Sequence, residues 1–464
     1  MTFSHLEIHG LRGFATKQTL KFSSPSGQTG SGLTIIVGPN SNGKSTIVDS
    51  IRMLLSRDIP SINESERNSR SADRVEISLF DESKLYAGFA MDANNPSAGD
   101  RTRHGTNFFV VPSRRAFDAF LAHGVQNTWM REQYTTAHNQ SGRPETDIYF
   151  ASRLNVAWAD PEKRKKFQGL LGRIVDNPPE WVIDRSAQGT PYVKIKGEGF
   201  SYNSNGLGEG LISLLFIVDS LYDSQPGELI VIDEPELSLH PQQQRRLRRV
   251  LSEFARDRQI CFATHSPYFI SWEDISAGAT IARVVKDEQG DGHIRQADRL
   301  TLNSLVKLAE NRYNPHILGT DANEVFFLAD SVVITEGQED VVYFKLLSQR
   351  LGFDHSWSFF GWGAGGASNV EKIVQLLQEL GYRRVVGVLD NDMRHIAERL
   401  QVDYSGYLFV AIPADDIRTK VERTTDYKKG LFDENTEIRS EFVEGAKVLL
   451  EKVDAYLSLD SGPS

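Results

Sequence analysis

A short apolar run, Leu33-Thr34-Ile35-Ile36-Val37, ends in Gly38-Pro39-Asn40-Ser41-Asn42-Gly43-Lys44-Ser45, and helical spacing takes over from Ser45 to Leu55. This pattern makes a buried strand hand over through a glycine loop to a helix start. There free backbone N–H groups gather and attract an anion. Lys44 brings positive charge to the terminal phosphates of a nucleotide, and the Ser45 hydroxyl can ligate magnesium. The same letters arise by chance in unrelated chains, but a strand before and a helix after form the context that confirms them. The expected nucleotide ligands are Gly38, Asn40, Asn42, Gly43, Lys44, Ser45 and Thr46, and the expected cofactors are ATP and Mg2+.

A second buried-strand run, Leu229-Ile230-Val231-Ile232, ends in Asp233-Glu234. Carboxylates at the carboxyl end of a strand in a parallel sheet stand where ligands bind. Asp233 is placed to hold magnesium and Glu234 to polarise the attacking water. Apolar strands at 260–263, 332–334 and 385–389 alternate with helical stretches at 211–222, 242–255, 341–351 and 369–380, which implies mainly parallel sheets covered by helices. Residues 113–180 are polar and aromatic with helical stretches.

Asp233-Glu234-Pro235-Glu236 with His240-Pro241, followed by Ala263-Thr264-His265-Ser266-Pro267, resembles the Walker B, D-loop and switch-histidine series of ABC-type ATPases. The branch it resembles contains SMC, RecF and the OLD (overcoming lysogenization defect) nucleases, and the opening Leu11-Arg12-Gly13-Phe14 is similar to that branch's N-terminal strand motif. The resemblance implies that His265 senses the γ-phosphate. It also implies a homodimer through the ATPase heads, or a higher homo-oligomer, in which a signature loop of one subunit meets the ATP of the other. Ser204, Gly206 and Gly208 are the candidates for that loop, although the order of Ser204 to Gly210 departs from the usual pattern. No glutamine can be assigned to the Q-loop; Gln126 and Gln133 are the candidates.

Farther along, Val333-Ile334-Thr335-Glu336-Gly337-Gln338-Glu339-Asp340 and Leu389-Asp390-Asn391-Asp392 resemble a Toprim domain. Asp390 and Asp392, two apart at a strand's end, are expected to project to one side. With Glu336 they would form an oxygen cage for Mg2+ or Mn2+, and Asp340, one helical turn on, would help hold a second ion. Asp415 and Asp416 are further ligand candidates, with a turn as the simpler alternative, and Lys420 is a candidate to neutralise the transition-state phosphate, with a surface lysine as the simpler alternative. Gly363-Ala364-Gly365-Gly366 reads as a tight connection and not as a phosphate cradle.

The expected architecture is therefore α/β: an ABC-type P-loop ATPase head over 1–325 with a helical insertion at about 113–200, then a Toprim-like α/β domain over 326–464. ATPase then Toprim is the order of the OLD family. It implies an ATP-regulated, metal-dependent DNA endonuclease in bacterial anti-phage defence, with DNA as partner. The alternatives are an ATPase sensor or scaffold whose vestigial Toprim recruits a separately encoded nuclease or toxin, and a recombination or repair ATPase.

Composition narrows the setting. A net charge of −10 argues against a wholly basic nucleic-acid coat, though a local basic groove can still operate. The run Arg245-Arg246-Leu247-Arg248-Arg249 is expected to be the solvated face of a helix. One cysteine, Cys261, rules out a disulfide within the chain. The absence of a long apolar run, and an opening unlike a signal peptide, point to a cytoplasmic protein without membrane contact.

Overall fold

The computed structural model describes residues 2–55, 62, 66–71, 74–82, 84–92, 95–105, 107–118, 120, 131–138, 147–197, 200–203, 207–310, 326, 331–353, 357–419 and 429–458. They divide into two compact units between Ile294 and Arg295.

The first unit begins with an antiparallel hairpin, β1 (Phe3–His9) and β2 (Gln18–Lys21), then β3 (Leu33–Val37) and α1 (Lys44–Leu55). Three strands, β4 (Arg74–Asp81), β5 (Lys84–Asp92) and β6 (Asn95–Arg103), extend the hairpin into a five-stranded sheet ordered β2-β1-β4-β5-β6. After β7 (Phe108–Val111) come α2 (Arg131–His138), α3 (Phe150–Ala159) and α4 (Pro161–Ile174), and then β8 (Glu180–Arg185), β9 (Pro191–Gly197) and β10 (Phe200–Asn203). The chain returns through α5 (Glu209–Tyr222), β11 (Leu229–Asp233), α6 (Pro241–Phe254), β12 (Gln259–Ala263), α7 (Trp272–Ala277), β13 (Thr280–Lys286) and β14 (Gly292–Gln296).

The second sheet is ordered β14-β13-β3-β12-β11-β7, and from β13 to β7 every pairing is parallel. Strands β3, β11 and β12 are buried at all five positions, as a sheet covered on both faces requires. Cys261 lies inside this core, where burial pushes its thiol far up from the usual value.

Among its described residues the insertion is not wholly helical. From Glu180 to Asn203 it is a three-stranded antiparallel sheet, because alternate residues Trp181, Val193 and Ile195 bury against the helices while the charges between them face out. The arginine run lies on α6: Arg246 pairs with Asp176 at 2.8 Å, Arg248 with Asp274 at 2.6 Å, and Arg245 lies over the Tyr268 ring at 4.5 Å. The run does lie on the solvated face of the helix, with Arg245 and Arg249 exposed, and several of its members also pair with neighbours.

The second unit holds α8 (Arg299–Glu310), β15 (Ser331–Thr335), α9 (Gln338–Arg350), α10 (Ala367–Glu379), β16 (Arg384–Leu389), α11 (Arg394–Asp403), β17 (Leu408–Ala411), β18 (Asp416–Arg418), β19 (Gly430–Phe432) and α12 (Val443–Ser458). Strands β15, β16 and β17 form a parallel sheet in that order, around a core that includes Val333, Phe344, Val386 and Leu450. The divide between units falls earlier than 325/326 because α8 packs with α10: the Asp298 N–H donates to Glu379 at 2.7 Å and Gln375 donates to Thr301 at 3.1 Å. Among the described residues no helix is long and apolar enough to cross a membrane.

Candidate functional site

The loop between β3 and α1 takes backbone angles that favour glycine. Gly38 has φ +132° and Gly43 φ +106°, and a Cβ on Gly38 would stand 2.5 Å from the Val284 carbonyl of β13. Ser41 also adopts positive φ, at 63°. The Lys44 ammonium folds back to donate to the carbonyls of Gly38 at 2.7 Å and Pro39 at 2.8 Å, which holds it over the loop's mouth. Burial lowers its pKa to about 8, against the opposing pull of Glu234, Asp233 and Glu236. Beside the loop opens a cleft of about 750 Å3, lined among others by Asn40, Ser41, Lys44, Ser45, Glu234 and His265. Thr46 also faces it, whereas the Asn42 side chain donates to Val284 at 3.2 Å.

Strands β11 and β12 deliver the rest. Asp233 is paired with Ala263, and Ala263 with Ile36 just before the loop, so three strand ends meet at one level. The Ser45 hydroxyl lies 3.4 Å from Asp233 Oδ1. A hydroxyl and a carboxylate side by side at the foot of a phosphate loop are the donors magnesium takes, so the residues fit a Mg2+–ATP complex. Glu234 sits at φ 50° with its N–H donating to the Ala263 carbonyl at 2.8 Å, and its carboxylate stands 3.8 Å from His265 Nε2. Burial first, and then the Lys44 charge, lowers the His265 pKa, which favours the neutral imidazole.

Glu236, unassigned in the sequence, proves to be the fastener between these strand ends. Its part-buried carboxylate accepts from Thr264 Oγ1 at 2.8 Å and from the His265 N–H at 2.5 Å, and desolvation raises its pKa. Ser266 continues the chain to Gln244 on α6 at 2.6 Å. The DEPE spacing was visible in the sequence, but not which strand its last carboxylate would grip.

Of the candidate signature residues, Ser204 and Gly206 lie outside the described residues. Gly208 is the N-cap of α5 and does not line this cleft. The helix start leans on the turn after β11: Ser238 Oγ donates to Glu209 at 3.0 Å, and a Cβ on Gly210 would come within 2.4 Å of the Ser238 carbonyl. Gln126 falls outside the described residues, and Gln133 is exposed on α2. The strand beside β11 is β7, which runs on into Pro112-Ser113-Arg114-Arg115, with Arg115 buried.

In the second unit, Glu336 follows β15, Asp340 lies in the first turn of α9 and Asp390 follows β16. Glu336 Oε1 accepts from the Asp390 N–H and Asp340 Oδ2 from the Gly337 N–H, at 2.8 and 2.7 Å. The glycine loop packs onto this element as a tight connection: the Gly366 N–H donates to the Glu336 carbonyl at 2.8 Å, and a Cβ on Gly363 would be 2.7 Å from Gly337 backbone. Burial, then the charges of Asp340, Asp416, Glu336 and Asp392, pushes the Asp390 carboxyl up to about 8.

One expectation fails. Asp390 and Asp392 do not share a strand face, because β16 ends at Leu389 and a 3-10 turn begins at Asn391. Conversely, Asp416 joins the cluster from the start of β18 and is buried, so it is no surface turn. Asp415 stays outside it, 3.4 Å from Asn391, and Lys420 lies outside the described residues. All the donors are carboxylates, which suits a hard divalent cation in kind. Among the described residues, however, no three His, Cys, Asp or Glu side chains are gathered closely enough to hold one.

Residues 33–271 match the family described as "AAA domain, putative AbiEii toxin, Type IV TA system". The chain is 30% identical over 254 residues to an OLD nuclease of Thermus scotoductus, covering 51% of this chain and 46% of that one. It is 41% identical over 75 residues to the chromosome partition protein Smc of Halothermothrix orenii, covering 16% and 6%. The chain thus spans less than half the length of either curated relative. Among solved structures, the SMC head domain from Thermotoga maritima aligns with a TM-score of 0.38 and 17% identity, over 64% of this chain and 100% of that one.

Proposed function

The chain belongs to the AAA-domain family that it matches from residue 33 to 271, and from that premise we propose that it is an ATP-hydrolysing switch controlling DNA phosphodiester cleavage at the second unit's carboxylate cluster. The observation that carries the ATPase half is the convergence of Lys44, Ser45, Asp233, Glu234 and His265 on one cleft. The loop and Lys44 bind the phosphates, Ser45 and Asp233 hold magnesium, and Glu234 orients the attacking water with neutral His265 beside it. Gly208, at the start of α5, lies away from its own chain's cleft, which supports a signature loop acting on a second copy.

The cleavage half rests on the likeness to an OLD nuclease and on the kind of donors in the cluster. Glu336, Asp390 and Asp392 would hold Mg2+ or Mn2+, with Asp340 at hand for a second ion. Were an ion held there, the chemistry it would supply is activation of water and stabilisation of the leaving oxygen. The chain's own residues hold Asp390 in place through Glu336 and fix the Glu336 loop through Gly366. An anti-phage role belongs to the same proposal, as does DNA as partner. The test is nicking of supercoiled plasmid with Mg2+ or Mn2+, with and without ATP. Cleavage that Asp390→Ala abolishes supports the proposal, and no cleavage under any nucleotide condition overturns it.

One observation favours a second reading. Glu336 and Asp340 each spend an oxygen on a backbone N–H, and the described carboxylates form no gathered cage. An ATPase sensor or scaffold with a vestigial Toprim, recruiting a separate nuclease or toxin, would look like this. A neighbouring reading frame whose nuclease product co-purifies with the chain, together with an inert plasmid assay, selects that reading.

A further inference from the structure

We infer that Arg115 is a positioning residue for ATP hydrolysis: it holds Glu234 in its left-handed backbone conformation and ties that residue to helix α5. The inference rests on the ATP-hydrolysis reading above. Arg115 does not line the nucleotide cleft, and it sits buried behind it. Its guanidinium donates to three acceptors on two elements: the Asp233 carbonyl, the Glu234 carbonyl at 3.2 Å from both terminal nitrogens, and the Ser213 hydroxyl of α5.

Glu234 needs such a holder. A non-glycine residue at φ 50° is sterically disfavoured and persists only where its surroundings fix it. One side of its peptide is fixed by the N–H to Ala263, and the other side by Arg115 at the carbonyl. In that conformation the Glu234 carboxylate stands beside His265 and the cleft. The planar guanidinium matters, since its fork places fixed donors on separate nitrogens against two carbonyls and a hydroxyl, while an ammonium gathers its three donors on one nitrogen at the end of a flexible stem. Its charge also sits beneath Asp233, Glu234 and Glu236, whose fields oppose the burial that lowers its pKa to about 10. Because Ser213 lies one turn into α5, whatever shifts the start of that helix is felt at Glu234 through a single side chain.

The test is steady-state ATP hydrolysis by full-length Arg115→Lys and by the Arg115→Lys/Glu234→Gln double variant, with binding of a non-hydrolysable ATP analogue measured alongside. Arg115→Lys is expected to lower kcat roughly 10- to 100-fold with KM and analogue affinity within about twofold, since the phosphate loop is untouched. In the Glu234→Gln background the same change should alter the residual rate by less than about twofold, because Arg115 acts through Glu234. Independent, multiplying effects, or a rise in KM with kcat unchanged, overturn the inference. If Arg115→Lys fails to fold, Ser213→Ala carries the test: a severalfold loss of kcat at constant KM supports it, and no loss overturns it. A wild-type protein that binds ATP without turning it over sinks the hydrolysis reading and this inference with it. A hydrolysing wild type matched by Arg115→Lys sinks the inference alone.

Discussion

Asp390→Asn should make the second unit more stable above neutral pH, in EDTA, while leaving it nearly unchanged in mild acid. The Asp390 carboxyl is pushed from its ordinary 3.8 up to about 8 by burial and by the carboxylates of Asp340, Asp416, Glu336 and Asp392. Because the folded-state value lies above the unfolded one, the native state holds its proton more tightly. The resulting stability is fully present below pH ~4 and is lost as pH rises toward about 8. Each tenfold change in proton affinity is worth ~1.4 kcal/mol, so the whole displacement would cost ~6 kcal/mol, and solvent reaching a part-exposed carboxylate cuts this to about 2–3 kcal/mol. Asparagine mimics the neutral acid, and the backbone N–H that Glu336 accepts is kept. For a unit of this size each kcal/mol moves the midpoint by roughly 2–4 °C, so the variant should melt about 4–10 °C higher at pH 8.5 and within ~2 °C of the parent at pH 5. Differential scanning calorimetry at the two pH values reads this directly. A variant that is no more stable at pH 8.5, or equally stabilised at both, refutes the idea that burial and the neighbouring carboxylates hold Asp390 protonated.

Lys44 gives a second titration, of opposite charge type. With its pKa lowered to about 8, the charged ammonium that ATP requires is lost above that pH, so the Kd of a non-hydrolysable analogue should weaken roughly tenfold between pH 7 and pH 9. Calorimetric titration showing a flat Kd would contradict it. Arg153 on α3 clamps α5, reaching Asp219 at 3.0 Å and Asp223 at 2.7 Å with almost no exposure. Arg153→Met should cost about 3–5 kcal/mol in urea unfolding, since it strips the guanidinium from buried Asp219, whereas a loss below ~1 kcal/mol would mark the pair as dispensable.

The sheet that carries the nucleotide site was legible because strands buried on both faces must be continuously apolar: Leu33 to Val37, Leu229 to Ile232 and Ile260 to Ala263 can be little else. Each also ends on chemistry at the same level, which is why Lys44, Asp233 and Glu234 could be named from spacing, whereas His265 came from the family resemblance. The strands from Glu180 to Asn203 were hidden because short antiparallel strands with one wet face mix charged and polar residues among the apolar ones and blend into a polar segment. Arg115 was hidden for a different reason. Its function depends on β7 pairing with β11, a contact between segments far apart in sequence, and an Arg-Arg pair after a proline otherwise reads as surface. At Asp392 the spacing misled, since an Asp-x-Asp pattern puts both carboxylates on one side only while the backbone stays extended, and here it turns at Asn391.

ATP turnover by Glu234→Gln tests the nucleotide centre most directly. Glutamine keeps the size and the αL backbone but removes the carboxylate beside His265. ATP binding should stay within about twofold of the parent while hydrolysis falls ~100-fold or more. A Glu234→Gln protein that hydrolyses ATP at the parent rate would contradict the role given to that carboxylate.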